Sequence, residues 1–276
     1  MNPADEGRAL RAAASVEPLG PGLFSAHLSP LYTVMGHPHG GYLQCVIASG
    51  ALAGAIERGS PHLHATAVST NFVNAPQVGA AEVHVDVRRV GRGVSFAHVS
   101  LSQKGALATE SVVTLGTLRD ESTIRYQGVR VTDVPPLAKA RPVTAAEEIN
   151  IRSVVDLRLD PAVTGWWDGQ LSSTAEVRGW LRLDDGEGVW DAASLLFAGD
   201  AFPPATMPLG SSGWVPTMQL TSYVRRVPTS EWLRGRQWAV VIADGLVDER
   251  CELFDDSGQL VASSSQLAMV RLPGGN

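Results

Sequence analysis

Few residues in this chain are placed to do chemistry. His37/His39 and His62/His64 form two His-x-His pairs, a spacing that begins many zinc sites, yet no Cys or Asp nearby completes a ligand set. No G-x-S-x-G elbow offers a serine nucleophile. Acids in apolar surroundings are scarce. The segment HPHGGYLQCVIASGALAGAI, residues 37–56, has none from Gly40 to Ile56. FAGDAFPP instead sets Asp200 at the end of an apolar segment, where partial desolvation raises a carboxylate toward useful basicity. The same Asp also suits a helix end or the turn before Pro203-Pro204. Gln266, in VASSSQLAMVR, sits in a run of small and apolar residues, and a buried amide there must find partners.

The elements that must position these groups fall into two similar series. GGYLQCVIASGALAGAIE is helix-like, and HATAVSTNFVNAP begins a strand series. AAEVHVDVRRVG and VSFAHVSLSQKG alternate apolar and polar residues, and ALATESVVTLGTL follows a Lys104-Gly105 turn. In the second half GVWDAASLLFAGDAF is the helix candidate. VPTMQLTSYVRRVP, RQWAVVIADGLV, DERCELFDDSG and QLVASSSQLAMVRL follow, with a turn at Asp256-Ser257-Gly258. STNFVNAP matches LTSYVRRVP and KGALATE matches SGQLVAS, so the order reads as an internal duplication. Further strand material, GLFSAHLSPLYTVMG and AEVRGWLRLDD, precedes each helix. The polar stretch 119–150, with Pro135 and Pro136, reads as a linker. We therefore expect an α+β architecture of two units side by side with a continuous sheet: 1–118, a linker over 119–150, and 151–276.

Composition excludes other classes. The 276 residues carry a net charge of −6 with pI near 5.6, unlike a nucleic-acid surface, which needs basic charge. Lys104 and Lys139 are the only lysines, so arginine supplies nearly all positive charge. Residues 38–56 are uncharged, but their Gly, Ala and Ser content fits a buried helix rather than a membrane span. MNPADEGRALRAAASVEP has early acids and no apolar run, so no secretory signal is expected. Cys45 and Cys251 make no disulfide framework, so a reducing cytoplasm is the expected compartment.

A helix followed by a meander, twice, with GDAFPPA ending the second helix and Gln266 inside the last strand, resembles the double-hotdog acyl-CoA thioesterases of the thioesterase II type and their thioesterase-like relatives. The resemblance covers nearly the whole chain. It implies two tandem units, each a long central helix wrapped by a curved antiparallel sheet. It also implies hydrolysis of acyl-CoA to acid and CoA, hence a place in lipid metabolism. Members hold a water with an Asp, a Thr or Ser, and a Gln from the second unit, which map here to Asp200, Thr217 and Gln266. Thr217, Gln219 and Thr221 share a face at strand period, so the hydroxyl can slip to Thr221. No metal or cofactor is implied beyond the coenzyme A of the substrate.

Arg88, Arg89, Arg225 and Arg226 are candidates for the coenzyme A phosphates, with plain solvated charge as the alternative. Gly40-Gly41 either admits substrate at a helix start or permits close packing, and we expect the packing role. The tryptophans at 166, 167, 190 and 214 are expected in the core, an interface or an acyl tunnel. Aligning the halves places apolar residues, Leu52 or Ala53 and Val113, where Asp200 and Gln266 stand, so the first unit is expected to be catalytically degenerate. The rival readings are a non-catalytic acyl-CoA binding or sensing protein and a hotdog hydratase or dehydratase. The latter needs a His beside the helix of its active unit, and the second half has none. Self-association into a homo-oligomer is expected from edge strands and apolar aromatics.

Overall fold

The computed structural model describes residues 9–118, 124–144 and 148–274. In chain order its main elements are α1 (Leu10–Ala13), β1 (Val16–Gly20), β2 (Leu23–Leu28), β3 (Thr33–Val34), β4 (His37–Pro38), α2 (Gly40–Glu57), β5 (His64–Phe72), β6 (Gly79–Val90), β7 (Ser95–Gln103) and β8 (Ala106–Gly116). The second half contains β9 (Arg141–Pro142), β10 (Val155–Leu159), β11 (Glu176–Leu183), α3 (Ala192–Ala198), β12 (Thr217–Val224), β13 (Leu233–Ala243), β14 (Leu246–Phe254) and β15 (Leu260–Met269). Apart from the small β3–β4 pair, the strands form one thirteen-stranded sheet in the order β1-β2-β6-β7-β8-β5-β12-β15-β14-β13-β11-β10-β9. The halves meet where β5 pairs antiparallel with β12, Leu220 opposite Thr70 and Ser222 opposite Val68. This is the α+β, two-unit arrangement expected.

Duplication is legible in the irregularities. Bulges lie between Ala65 and Ala67 on β5 and between Thr217 and Gln219 on β12. Others lie between Val87 and Arg89 on β6 and between Ala239 and Val241 on β13. Ala65 to Thr217 and Val87 to Ala239 are the same 152-residue step. Bulges are designed features of a ladder, so matched bulges mark matched units.

The two helices are unequal. α2 runs 18 residues and is buried on nearly all sides, because α3 covers one flank and the sheet the rest. Gly50 and Gly54, one turn apart, let β6 approach: a Cβ on either would lie 2.6–2.7 Å from the methyls of Val83 and Val85. The second helix is not the long one expected. It spans only seven residues, begun by an Asp191–Ser194 capping box and ended at Gly199. Pro203-Pro204 lie just beyond, and proline cannot continue a helix. The 119–150 stretch is also more than a linker in its described part. β9 joins the sheet edge beside β10, and the Pro135 carbonyl accepts from Trp180 Nε1 at 2.8 Å.

Candidate active site

Asp200 lies two residues beyond α3, whose last carbonyls are taken by the turn that follows, Phe197 O by Asp200 N and Ala198 O by Ala201 N. Side chains from three directions meet the next three carbonyls. Ser264 Oγ on β15 donates to the Gly199 carbonyl at 2.6 Å, His39 Nε2 lies 2.9 Å from the Asp200 carbonyl, and Arg152 Nη1 donates to the Ala201 carbonyl at 3.2 Å. The backbone on both sides of Asp200 is thereby pinned. Its carboxylate then meets the start of α2 from the other half: Gly41 N donates to Oδ2 at 2.8 Å, and His39 Nε2 is 3.3 Å from the same oxygen. Two features of a helix N-terminus favour this anion, the free N–H groups and the positive end of the dipole.

Gly40-Gly41 therefore packs closely and binds an anion at once, but the anion is the protein's own. A Cβ on Gly40 would stand 2.9 Å from Asp200 Oδ2, and one on Gly41 would stand 2.9 Å from the Phe197 carbonyl and 3.0 Å from Asp200 Cβ. Burial pushes the Asp200 carboxyl above the ordinary aspartate range, and His39 and the Gly41 N–H pull it partway back. Asp200 is not a helix cap, since Gly199 takes that position.

Across the site, Thr217 Oγ1 donates to Gln266 Oε1 at 2.9 Å. The bulge makes this pairing possible. Inward residues of β12 are Leu220, Ser222 and Val224, so strict alternation would turn Met218 inward and Thr217 out. The extra residue reverses the phase, and Thr217 points in while Gln219 is exposed. The expectation that Thr217, Gln219 and Thr221 share a face is thus corrected. Thr221 lies on the outer face, its hydroxyl 2.8 Å from Ser69 Oγ across the seam.

Gln266 continues the chain inward. Its Nε2 donates to Glu249 Oε2 at 2.6 Å, Gln237 Nε2 donates to the same oxygen at 2.9 Å, and Ala205 N donates to Oε1 at 2.8 Å. Glu249 is 1 % exposed, so these three donors replace its hydration. Burial raises this carboxyl too, opposed chiefly by the Gln266 hydrogen bond. Neither Glu249 nor Gln237 was among the sequence candidates. A signal was present: Val247, Glu249, Cys251 and Leu253 occupy the buried positions of β14, which puts an acid in an apolar inward row.

Asp200, Thr217, Gln237 and Gln266 all line one cavity of about 780 Å³ between the halves, with His39 and Gly40. Its other walls are largely apolar and aromatic. Phe72, Trp166, Trp167 and Trp214 contribute, Trp214 stacking on His37 at 4.4 Å, whereas Trp190 is a core residue bonded to the Glu231 carbonyl. Val143, Thr144 and Ile149 from the expected linker also line it. The arginine candidates are elsewhere. Arg88 pairs with Asp86 in solvent, Arg89 stands exposed on β6, Arg225 lies over the Tyr223 ring, and Arg226 contacts Gln259 and Asp255. The cavity's arginines are Arg141 and Arg152, which sequence reasoning did not select.

Register shows what the first half holds at the matching places. Ala65 stands where Thr217 does. Val113 faces Val68 as Gln266 faces Leu220, and Ala97 faces Val113 as Glu249 faces Gln266. The polar chain of the second half is apolar in the first.

Among the described residues no helix is long and apolar enough to cross a membrane, and no group of three or more His, Cys, Asp or Glu side chains is arranged to hold a metal. Both cysteines are free and buried.

Comparison with known proteins agrees with this architecture. The acyl-CoA thioesterase N-terminal domain family matches residues 28–117 and the acyl-CoA thioesterase C-terminal domain family matches residues 131–270. An uncharacterised Mycobacterium tuberculosis protein is 29% identical over 273 residues, spanning 90% of this chain and 91% of its own. A Thermobifida fusca structure provisionally described as a thioesterase II is 30% identical with TM-score 0.85, covering 95% of this chain and 97% of its own. An Alicyclobacillus acidocaldarius protein of unknown function with a hot dog fold superposes with TM-score 0.80 at 21% identity, over 99% of this chain and 100% of its own. The chain belongs to the acyl-CoA thioesterase family, as a double hotdog.

Proposed function

We propose that this protein hydrolyses an acyl-CoA thioester at the cavity between its halves, with Asp200 as general base. What carries the reading is one arrangement: a desolvated carboxylate and a Thr–Gln pair line the same, otherwise largely apolar cavity. An acyl group prefers such walls, and a water among such polar groups is held in few orientations. The water oxygen bonds to the thioester carbon as Asp200 takes its proton. The Gly40 N–H, in the first turn of α2 and on the cavity wall, is the donor we assign to the oxyanion. Collapse breaks the C–S bond, and the proton passes from Asp200 to the departing thiolate. The acyl-CoA supplies the only coenzyme. The two buried free cysteines support a cytoplasmic setting, and the exposed Val112, Met218 and Tyr223 support a homo-oligomer.

Thiol release from an acyl-CoA chain-length series tests the reading, which fails if wild type and Asp200→Asn release thiol equally from every member. Saturable binding without release would identify a sensor instead. One observation favours a second chemistry. The His absent from the second half is supplied by the first, His39 beside Asp200, an acid–base pair suited to adding water across an enoyl-CoA double bond. Loss of enoyl absorbance without thiol release would select that alternative.

A further inference from the structure

We infer that Glu249, held by Gln237, is a positioning residue that sets the direction of the hydrogen bonds reaching the reacting water. The inference rests on the hydrolytic reading above. An amide can face either way, and the Gln266–Thr217 contact alone permits both senses. Glu249 removes the choice. Its Oε1 accepts from the Ala205 backbone N–H, which can only donate, and its Oε2 is 2.6 Å from Gln266 and 2.9 Å from Gln237. An ionised carboxylate accepts only, so Gln266 must turn Nε2 toward Glu249 and Oε1 toward Thr217. Thr217 then spends its single proton on Gln266 and offers the cavity lone pairs alone.

The consequence is chemical. A water between Thr217 and Asp200 meets two acceptors, donates both protons and keeps a lone pair free for the thioester carbon. If Glu249 carries a proton or becomes an amide, it can donate to Gln266 Oε1. Gln266 then flips, Thr217 donates to the water, and the water is held by one acceptor instead of two, so a lone pair is no longer directed at the thioester carbon. Gln237 serves the same end by supplying Glu249 with a third donor, which favours its charged form. Register places Ala97 and Val113 where Glu249 and Gln266 stand, so the first half has no such device.

The test is Glu249→Gln beside a Glu249→Val/Gln237→Val double variant, which removes the charge together with the Gln237 amide that would otherwise lose its partner. Both should keep KM within about twofold while kcat falls about 10- to 100-fold, less than loss of a general base itself. Wild-type kcat should rise with the ionisation of two carboxyls, and the variants with one. Side-chain amide NMR of Gln266 reads the same point without turnover. Its amide protons should lie downfield in wild type, as expected for donation to a carboxylate, and move upfield in Glu249→Gln and on acidification of the wild type. Unchanged kcat in both variants, or amide signals indifferent to Glu249 and to pH, overturns the inference. A wild type that releases no thiol but shows the expected amide shifts overturns the hydrolytic reading while leaving the Glu249–Gln266 linkage standing.

Discussion

Gly41→Ala is a sharp test of how the two halves build one site. The added methyl would lie 2.9 Å from the Phe197 carbonyl oxygen, 3.0 Å from the Leu196 carbonyl oxygen and 3.0 Å from Asp200 Cβ. All three neighbours are backbone or one bond from it, so no flexible side chain can yield. Restoring ordinary contact needs α2 to move about 0.5 Å away from the end of α3. Overpacking of this kind costs about 1–3 kcal/mol. Stretching the 2.8 Å bond from Gly41 N to a charged acceptor removes part of a further 1.5–3 kcal/mol or so. Alanine's helix preference returns at most about 1 kcal/mol. The net loss is about 2–4 kcal/mol, or a Tm lower by at least about 4 °C for a chain of this size. Because Asp200 moves with the displaced backbone, kcat should fall about tenfold. Gly50→Ala is the control, since its methyl would meet the Val83 side chain, not Asp200. It should lower Tm and leave kcat within twofold. Thermal unfolding and thiol release measured on both variants decide the matter. A Gly41→Ala protein with wild-type kcat would refute the claim that α2 seats the base.

Asp200→Asn should reduce kcat by about 10²–10⁴ and stabilise the fold, since a desolvated charge is removed. Burial holds the Asp200 carboxyl above its unfolded value, so its ionisation costs folded-state stability as pH rises through that raised range. The Tm advantage of Asp200→Asn over wild type should therefore grow between acid and neutral pH, as calorimetry at several pH values would reveal. By the same shift, wild-type kcat should climb with pH at values above the ordinary carboxylate range. Thr217→Val should lower kcat about tenfold in the thiol-release assay. Thr221→Val should leave kcat unchanged and cost about 1 kcal/mol in unfolding experiments, through the lost bond to Ser69.

Several features were open to a reader of the sequence because they are local or periodic. Alternation in VSFAHVSLSQKG and in DERCELFDDSG marks strands whatever they pair with, and Lys104-Gly105 adopts the positive φ at both positions that a tight hairpin demands. Repetition of one element order announced the duplication. The polar residues Asp200 and Gln266 stood out because apolar neighbours left them without local partners, and Glu249 could have stood out in the same way by its parity on β14. The phase of Thr217 was not legible, since a bulge is a property of the ladder that β12 makes with β15, not of β12 alone. The pairing of His39 and Gly41 with Asp200 joins residues about 160 positions apart through the packing of two helices. Sequence by itself determined the strand series, their order and the half that keeps the polar residues, because periodicity and composition act over a few residues. Only the tertiary structure decided which strand phase faces the cavity and that the first half supplies the seat for the other half's carboxylate, because both depend on contacts that exist only once the chain has closed.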